Sequence, residues 1–157
     1  MKISLITVGK TDVKWVKEGL EEYVSRLSRY VPFSLIEIPQ LKAAPSMPQE
    51  KVKEIEGEAV LKRIKPSDEV ILLDERGKMF SSQEFASLLE GRMAHGSRDM
   101  VFVIGGAFGF SEKVYERASS LMSLSKMTFT HQMVRTIFAE QLYRAFTIIR
   151  GEPYHHE

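Results

Sequence analysis

Apolar and polar positions change period several times along the chain, and the changes mark out strands alternating with helices. Ile3, Leu5 and the Thr7–Val8 pair before Gly9 alternate as a strand ending in a turn. Val13, Val16, Leu20, Tyr23, Val24 and Leu27 then fall at helical spacing with Lys and Glu between them; Asp12 is placed to cap that helix and Pro32 to close it. Residues 33–38 predict a second strand, and residues 39–48, with Pro39, Pro45 and Pro48, an exposed loop. Residues 48–64 read as a charged surface helix whose apolar stripe is Val52, Ile55, Ala59, Val60 and Ile64. Residues 70–73 are an uninterrupted apolar strand ending at Asp74, followed by a turn at 75–77 and a helix capped by Ser81 or Ser82. Residues 100–104 repeat that unit, leading into a glycine loop at 105–109 and a helix capped by Ser111. A short fifth strand is expected within 122–130 and a long helix over 131–149. Strands alternating with helices, with continuous apolar runs in the later strands, argue for an α/β sandwich around a largely parallel sheet.

Length and composition narrow the picture. At 157 residues a single domain over 1–157 is expected, and no internal repeat divides it. Cysteine is absent, which removes disulfides and thiolate metal sites and makes a cytoplasmic protein the simple reading. The apolar run at the amino terminus is too short for a secretory signal, and residues 100–110 are too short and too glycine-rich for a membrane span. Lys and Arg total 22 against 21 acidic residues, so any contact with nucleic acid must rest on a local patch.

In a parallel sheet, ligands bind beyond the carboxyl ends of the strands, which directs attention to the loops after Leu73, Ile104 and Met127. Gly105, Gly106 and Gly109 let a ligand approach the main chain, although a glycine pair after a strand is often only a tight turn. No Gly-Lys-Ser/Thr follows, which excludes a P-loop. Gly9 stands nearly alone after the first strand, which excludes a dinucleotide fingerprint. His131, His155 and His156 lack carboxylate or thiolate partners at ligand spacing, so no metal site is expected, and no nucleophile elbow is present. On the last helix Arg135 falls within an apolar arc with Phe138 and Leu142; it is either a structural ion pair or part of a site for an anion or RNA. Arg144 follows Glu140 by four residues, the spacing of a surface ion pair. The Tyr154–His155–His156 tail is either a frayed end or a set of groups suited to stacking on and hydrogen bonding with RNA bases.

Taken together, the segments resemble the ribosomal RNA large subunit methyltransferase H family, the pseudouridine N3 methyltransferases of the SPOUT class, over the full length. The matching residues include Val8-Gly9-Lys10, Ile36-Glu37-Ile38-Pro39, Lys53 with Glu56-Gly57, Leu73-Asp74 with Gly77-Lys78, and Ile104-Gly105-Gly106 with Gly109. They continue through Leu124-Ser125, Met127-Thr128, His131 with Val134-Arg135, residues 139–145 and Pro153-Tyr154-His155. Ala107-Phe108 departs from relatives that carry Pro and an acidic residue there. The resemblance implies a homodimer in which the carboxyl-terminal segment threads a deep trefoil knot. It implies S-adenosyl-L-methionine as cofactor, held by Leu73, Asp74, Gly105, Gly106, Leu124, Ser125, Lys126, Met127, Thr128 and Phe129. The implied substrate is a pseudouridine in helix 69 of 23S rRNA on the assembled ribosome. Arg144 and His155 are then the catalytic candidates, and Arg135, Tyr154 and His155 the candidates for touching RNA. Two rival expectations are a non-catalytic ribosome-binding factor of the same fold and an ordinary nucleotide-dependent oxidoreductase, the latter opposed by the missing first-loop fingerprint.

Overall fold

The computed structural model describes residues 1–42, 46–96 and 98–156; Pro45 of the predicted loop and Glu157 of the tail lie outside the described residues. Among the described residues, five strands and five helices alternate: β1 (Ile3–Val8), α1 (Lys14–Leu27), β2 (Phe33–Ile38), α2 (Gln49–Leu61), β3 (Glu69–Met79), α3 (Ser82–His95), β4 (Met100–Ile104), α4 (Glu112–Arg117), β5 (Ser120–Ser123) and α5 (Met133–Ile149). The strands form one sheet in the order β2-β1-β4-β3-β5, every neighbouring pair parallel.

The two-residue period of the strands sorts their side chains between two cores. Ile3, Leu5, Ile71, Met100 and Phe102 meet Leu27 of α1, Phe85 and Leu89 of α3, and Phe138, Leu142 and Phe146 of α5. Ile6, Val8, Val70, Leu72, Val101 and Val103 face the other way, onto Val60 of α2 and Val114 of α4. Both faces are covered, which is why β4 is apolar at every position.

Three local expectations change. Asp12 does not cap α1: Val13 takes the N-cap position without a side-chain cap, and Gln132 ties down the segment before the helix, its Oε1 accepting from the backbone amides of Asp12 (3.1 Å) and Val13 (3.4 Å) and its Nε2 donating to the Lys10 carbonyl (3.0 Å). Strand β3 runs on past Asp74 to Met79, because Met122 pairs first with Leu73 and then with Lys78 while residues 74–77 bulge from the ladder. The fifth strand is shorter than expected and lies earlier, leaving residues 124–130 irregular. Ser81 and Ser111 do cap α3 and α4, Ser81 in a full capping box with Glu84.

Candidate active site

Beyond the carboxyl ends of β3 and β4 the chain leaves a cleft of about 460 Å³. Three segments build it: residues 73–76 where β3 bulges, the glycine loop after β4, and residues 123–129 from the end of β5 onward, with Tyr115 of α4, His131 and Val134 completing the lining. Of the ten residues expected to hold a cofactor, Leu73, Asp74, Gly105, Gly106, Leu124, Ser125, Met127, Thr128 and Phe129 line this one cleft. Lys126 is the exception; it is exposed on the same segment but outside the lining.

Polar groups hold the walls. Ser125 Oγ accepts from the Met127 amide at 2.9 Å and Ser123 Oγ donates to the Ser125 carbonyl at 2.9 Å, which folds 123–127 into a compact turn. Asp74 accepts from the Arg76 amide (2.8 Å), from the Arg76 guanidinium, and from the Tyr115 hydroxyl. Burial pushes the Asp74 carboxyl up, but the hydrogen bonds from Arg76 and Tyr115 together outweigh it and hold the group below the usual carboxylate range. The Arg76 guanidinium also lies over the Tyr115 ring, 4.9 Å from its centre. The cleft therefore pairs main-chain polar groups and an ionised, partnered carboxylate with the apolar surfaces of Leu73, Leu124 and Phe129. This combination suits a small ligand with an aromatic portion and several hydrogen-bonding groups.

The other predicted residues lie elsewhere. Arg135 is only 1% exposed and inside the protomer. Its Nε donates to the His131 carbonyl (3.0 Å), one terminal nitrogen to the Gly9 carbonyl (3.0 Å) and Thr11 Oγ1 (2.8 Å), and the other to the Val8 carbonyl (2.9 Å). Glu37 Oε2 stands 3.5 Å away. Of the two readings of Arg135, the structure supports the internal strut: its donors are engaged by the protein, so it is not carried forward as an RNA contact.

Arg144, Tyr154 and His155 form a second cluster near the end of α5. Arg144 pairs with Glu140 and donates to His155 Nδ1 at 3.0 Å, and its guanidinium lies over the Tyr154 ring at 4.9 Å. The Tyr154 hydroxyl donates to Glu140 Oε1 (3.2 Å) and sits 3.3 Å from that of Tyr23, while Tyr30 donates to Glu152 at 2.7 Å. Burial and these contacts push the Tyr154 hydroxyl well above its ordinary value. The described tail is thus pinned to α1 and α5, not frayed. Arg144 follows Val134, on the cleft wall, by ten residues, about 15 Å along a helix. None of Arg144, Tyr154 and His155 lines the cleft of its own chain.

Sequence reasoning also missed a residue. Glu56 of α2 is buried against the back of the glycine loop, although only its neighbours were assigned to the apolar stripe. The Val52–Glu56–Val60 spacing was the available signal.

With this geometry in place, the class is defined by comparison. A family model described as "Predicted SPOUT methyltransferase" matches residues 1–155, and the chain belongs to that family. Among curated proteins it is 51% identical over the whole of both chains to the ribosomal RNA large subunit methyltransferase H of Parabacteroides distasonis, and equally to that of Porphyromonas gingivalis. The Flavobacterium johnsoniae protein of the same name is 50% identical, again over both full lengths. A structure described under "Structural insights into the 2-OH methylation of C/U34 on tRNA" superposes with a TM-score of 0.51 at 15% identity, covering 96% of this chain and 98% of that one. A probable methylase family protein from Haemophilus influenzae gives the same TM-score at 11% identity, over 99% of this chain and 70% of its own. These two likenesses concern the fold alone.

Proposed function

We propose that the protein transfers a methyl group from S-adenosyl-L-methionine to N3 of a pseudouridine in helix 69 of 23S rRNA, acting as a homodimer on the assembled ribosome in the cytoplasm. The observation that carries the reading is the convergence of Leu73–Asp74, Gly105–Gly106 and the 124–129 turn on a single cleft at the strand ends. The names and full-length identity of the relatives supply the substrate class. In a knotted arrangement the chain would pass through a loop on its way from β5 to α5. In support, it leaves the sheet edge at β5 and next engages residues 8–11 beyond β1, across the ends of β3 and β4.

The sulfonium methyl of such a donor is already a strong electrophile, so the protein's task is alignment and removal of the N3 proton. The cleft would hold the donor while Arg144, Tyr154 and His155 meet the RNA. Arginine only donates, so in the Arg144–His155 contact Nδ1 of the imidazole is the acceptor. For His155 to take the N3 proton through that nitrogen, the contact must open; Arg144 is then free to stabilise the developing negative charge on the base.

Methyl transfer to ribosomes, measured beside cofactor calorimetry, tests this. Arg144→Ala and a chain lacking residues 154–157 should each lose about a hundredfold or more in transfer while binding S-adenosyl-L-methionine normally. Near-normal transfer by both would reduce the cluster to a structural clasp. Failure of the unaltered protein to bind the cofactor would favour the non-catalytic ribosome-binding factor.

A further inference from the structure

Helix α2 carries a carboxylate where its apolar stripe should continue. Val52, Glu56 and Val60 succeed one another four residues apart and all are buried, Glu56 retaining 9% of its exposure. The side chain ends against the glycine loop: a β-carbon at Gly106 would come within 2.8 Å of Glu56 Oε1 and 3.1 Å of Oε2. Among the described residues, Glu56 Oε1 is buried with no hydrogen-bond partner. Lys53, which faces the same small void, directs its ammonium to Glu50 at 2.9 Å, and Ser111 Oγ caps α4 by accepting from the Val114 amide. The rest of that void is Val8, Gly57, Val60, Phe110, Val114 and the glycines. Burial pushes the Glu56 carboxyl up, and no other influence offsets it. An uncompensated buried carboxylate is costly, so stability alone does not account for a glutamate at this position.

The position of Glu56 supplies the reason. Gly105, Gly106, Gly109 and Phe110 line both the void that holds the carboxylate and the large cleft. The glycine loop is therefore the common wall, and at Gly105 and Gly106 that wall is backbone without side chains. A positive charge held in the cleft would meet the field of Glu56 across a thin, water-poor partition.

We propose that Glu56 is the counter-charge of the methyl donor, acting across Gly105–Gly106 to favour the cationic sulfonium over the neutral thioether left after transfer. The inference rests on the cleft being the cofactor site. In the reaction the S–CH3 bond breaks, the sulfur keeps the bonding pair and loses its positive charge, and the methyl passes to N3 as its proton leaves. The attraction thus acts on the donor and disappears with the product, which is discrimination in the direction turnover requires.

Calorimetry with S-adenosylmethionine and S-adenosylhomocysteine decides the matter on three forms of the protein: unaltered, Glu56→Gln, and Glu58→Gln, which makes the same change in net charge at an exposed position of α2. For one unit charge at an effective dielectric of about 20, Glu56→Gln should weaken the sulfonium compound roughly tenfold. The thioether should stay within about twofold, and Glu58→Gln should alter neither. Equal weakening of both compounds would show that Glu56 merely props the loop, and no change in either would show that its charge is not felt; both results overturn the proposal. If the unaltered protein binds neither compound, the cofactor reading itself fails and takes the inference with it.

Discussion

Glu56 and Arg135 are both charges held inside the protein, on opposite terms. Arg135 is surrounded by acceptors from residues 8–11, from Glu37 and from the foot of its own helix, so it fastens α5 to the end of β1. Replacing it with leucine would leave those carbonyls without this donor and Glu37, which keeps the Thr11 amide and hydroxyl, without its counter-charge, and should cost about 3 kcal/mol or more in a denaturant titration. A loss under 1 kcal/mol would mean that the network is not structural. For Glu56 the sign reverses. Its carboxyl is raised in the folded protein, so folding is unpenalised below the unfolded pKa, about 4.3, and stability is lost as pH rises through the folded value and the buried group ionises. Glu56→Gln should therefore raise Tm at pH 7.5, with the gain vanishing by about pH 4; a gain of equal size at both values would contradict this. The sequence offers a structural ion pair as one of two readings of Arg135 and assigns no role to Glu56. The wheel placed Arg135 in an apolar arc but could not name acceptors more than 120 residues away, and Glu56 was obscured by the many exposed charges of α2.

At the scale of elements, boundaries were legible where proline or glycine bounds a strand or a serine stands at a helix start. β2 and β4 match residues 33–38 and 100–104, and Ser81 and Ser111 cap as expected. They were illegible where tertiary pairing decides. Asp12 is a good capping residue by type, yet the helix starts one residue later with Val13 at the N-cap, and Gln132 holds the backbone amides of Asp12 and Val13 from 120 residues away. The stretch 124–130 has strand-like composition, but its ladder stops at Ser123 and the remainder folds through Ser125 into a cleft wall. The β3 bulge depends on one residue. A β-carbon at Gly77 would lie 2.5 Å from the Leu121 carbonyl carbon and the Met122 nitrogen, backbone that has nowhere to retreat within the sheet. Gly77→Ala should consequently destabilise the protein by about 1–3 kcal/mol. It should also weaken cofactor binding, since the displaced bulge carries Asp74; normal stability and binding would show that β5 yields without cost.

For the molecule as a whole, the homodimer stands as a proposal, and the last helix does not supply its interface. Phe138, Leu142 and Phe146 give the last helix an apolar face, and all three are buried within the chain against α1, α3 and the sheet. The large exposed apolar groups of the described residues lie elsewhere: Met127 (78% exposed), Phe129 and Phe108 around the cleft, Trp15 (62%) and Met133 on the first turns of α1 and α5, and Met79 and Met93 at the ends of β3 and α3. Periodicity could not show this, because it tells which face of a helix is apolar and not which neighbour already covers it. The position of these groups bears on function, since the cleft and the Arg144–His155 cluster stand at different levels of one protomer. A two-fold association through the exposed rim could bring the cluster of one chain toward the cleft of the other. Light scattering at micromolar concentration should accordingly give a dimer of the 17.9 kDa chain. The stronger test is complementation. Thr128→Trp obstructs the cleft from its exposed rim and Arg144→Ala removes the distant guanidinium, so each homodimer should be inactive. A heterodimer with one chain of each kind, purified through two different tags, carries one composite site with both defects and one with neither. It should recover about half the unaltered methyl-transfer activity. A heterodimer as inactive as its parents would show that each protomer works alone, and Arg144 would then have to reach its own cleft by a rearrangement of α5 and the tail.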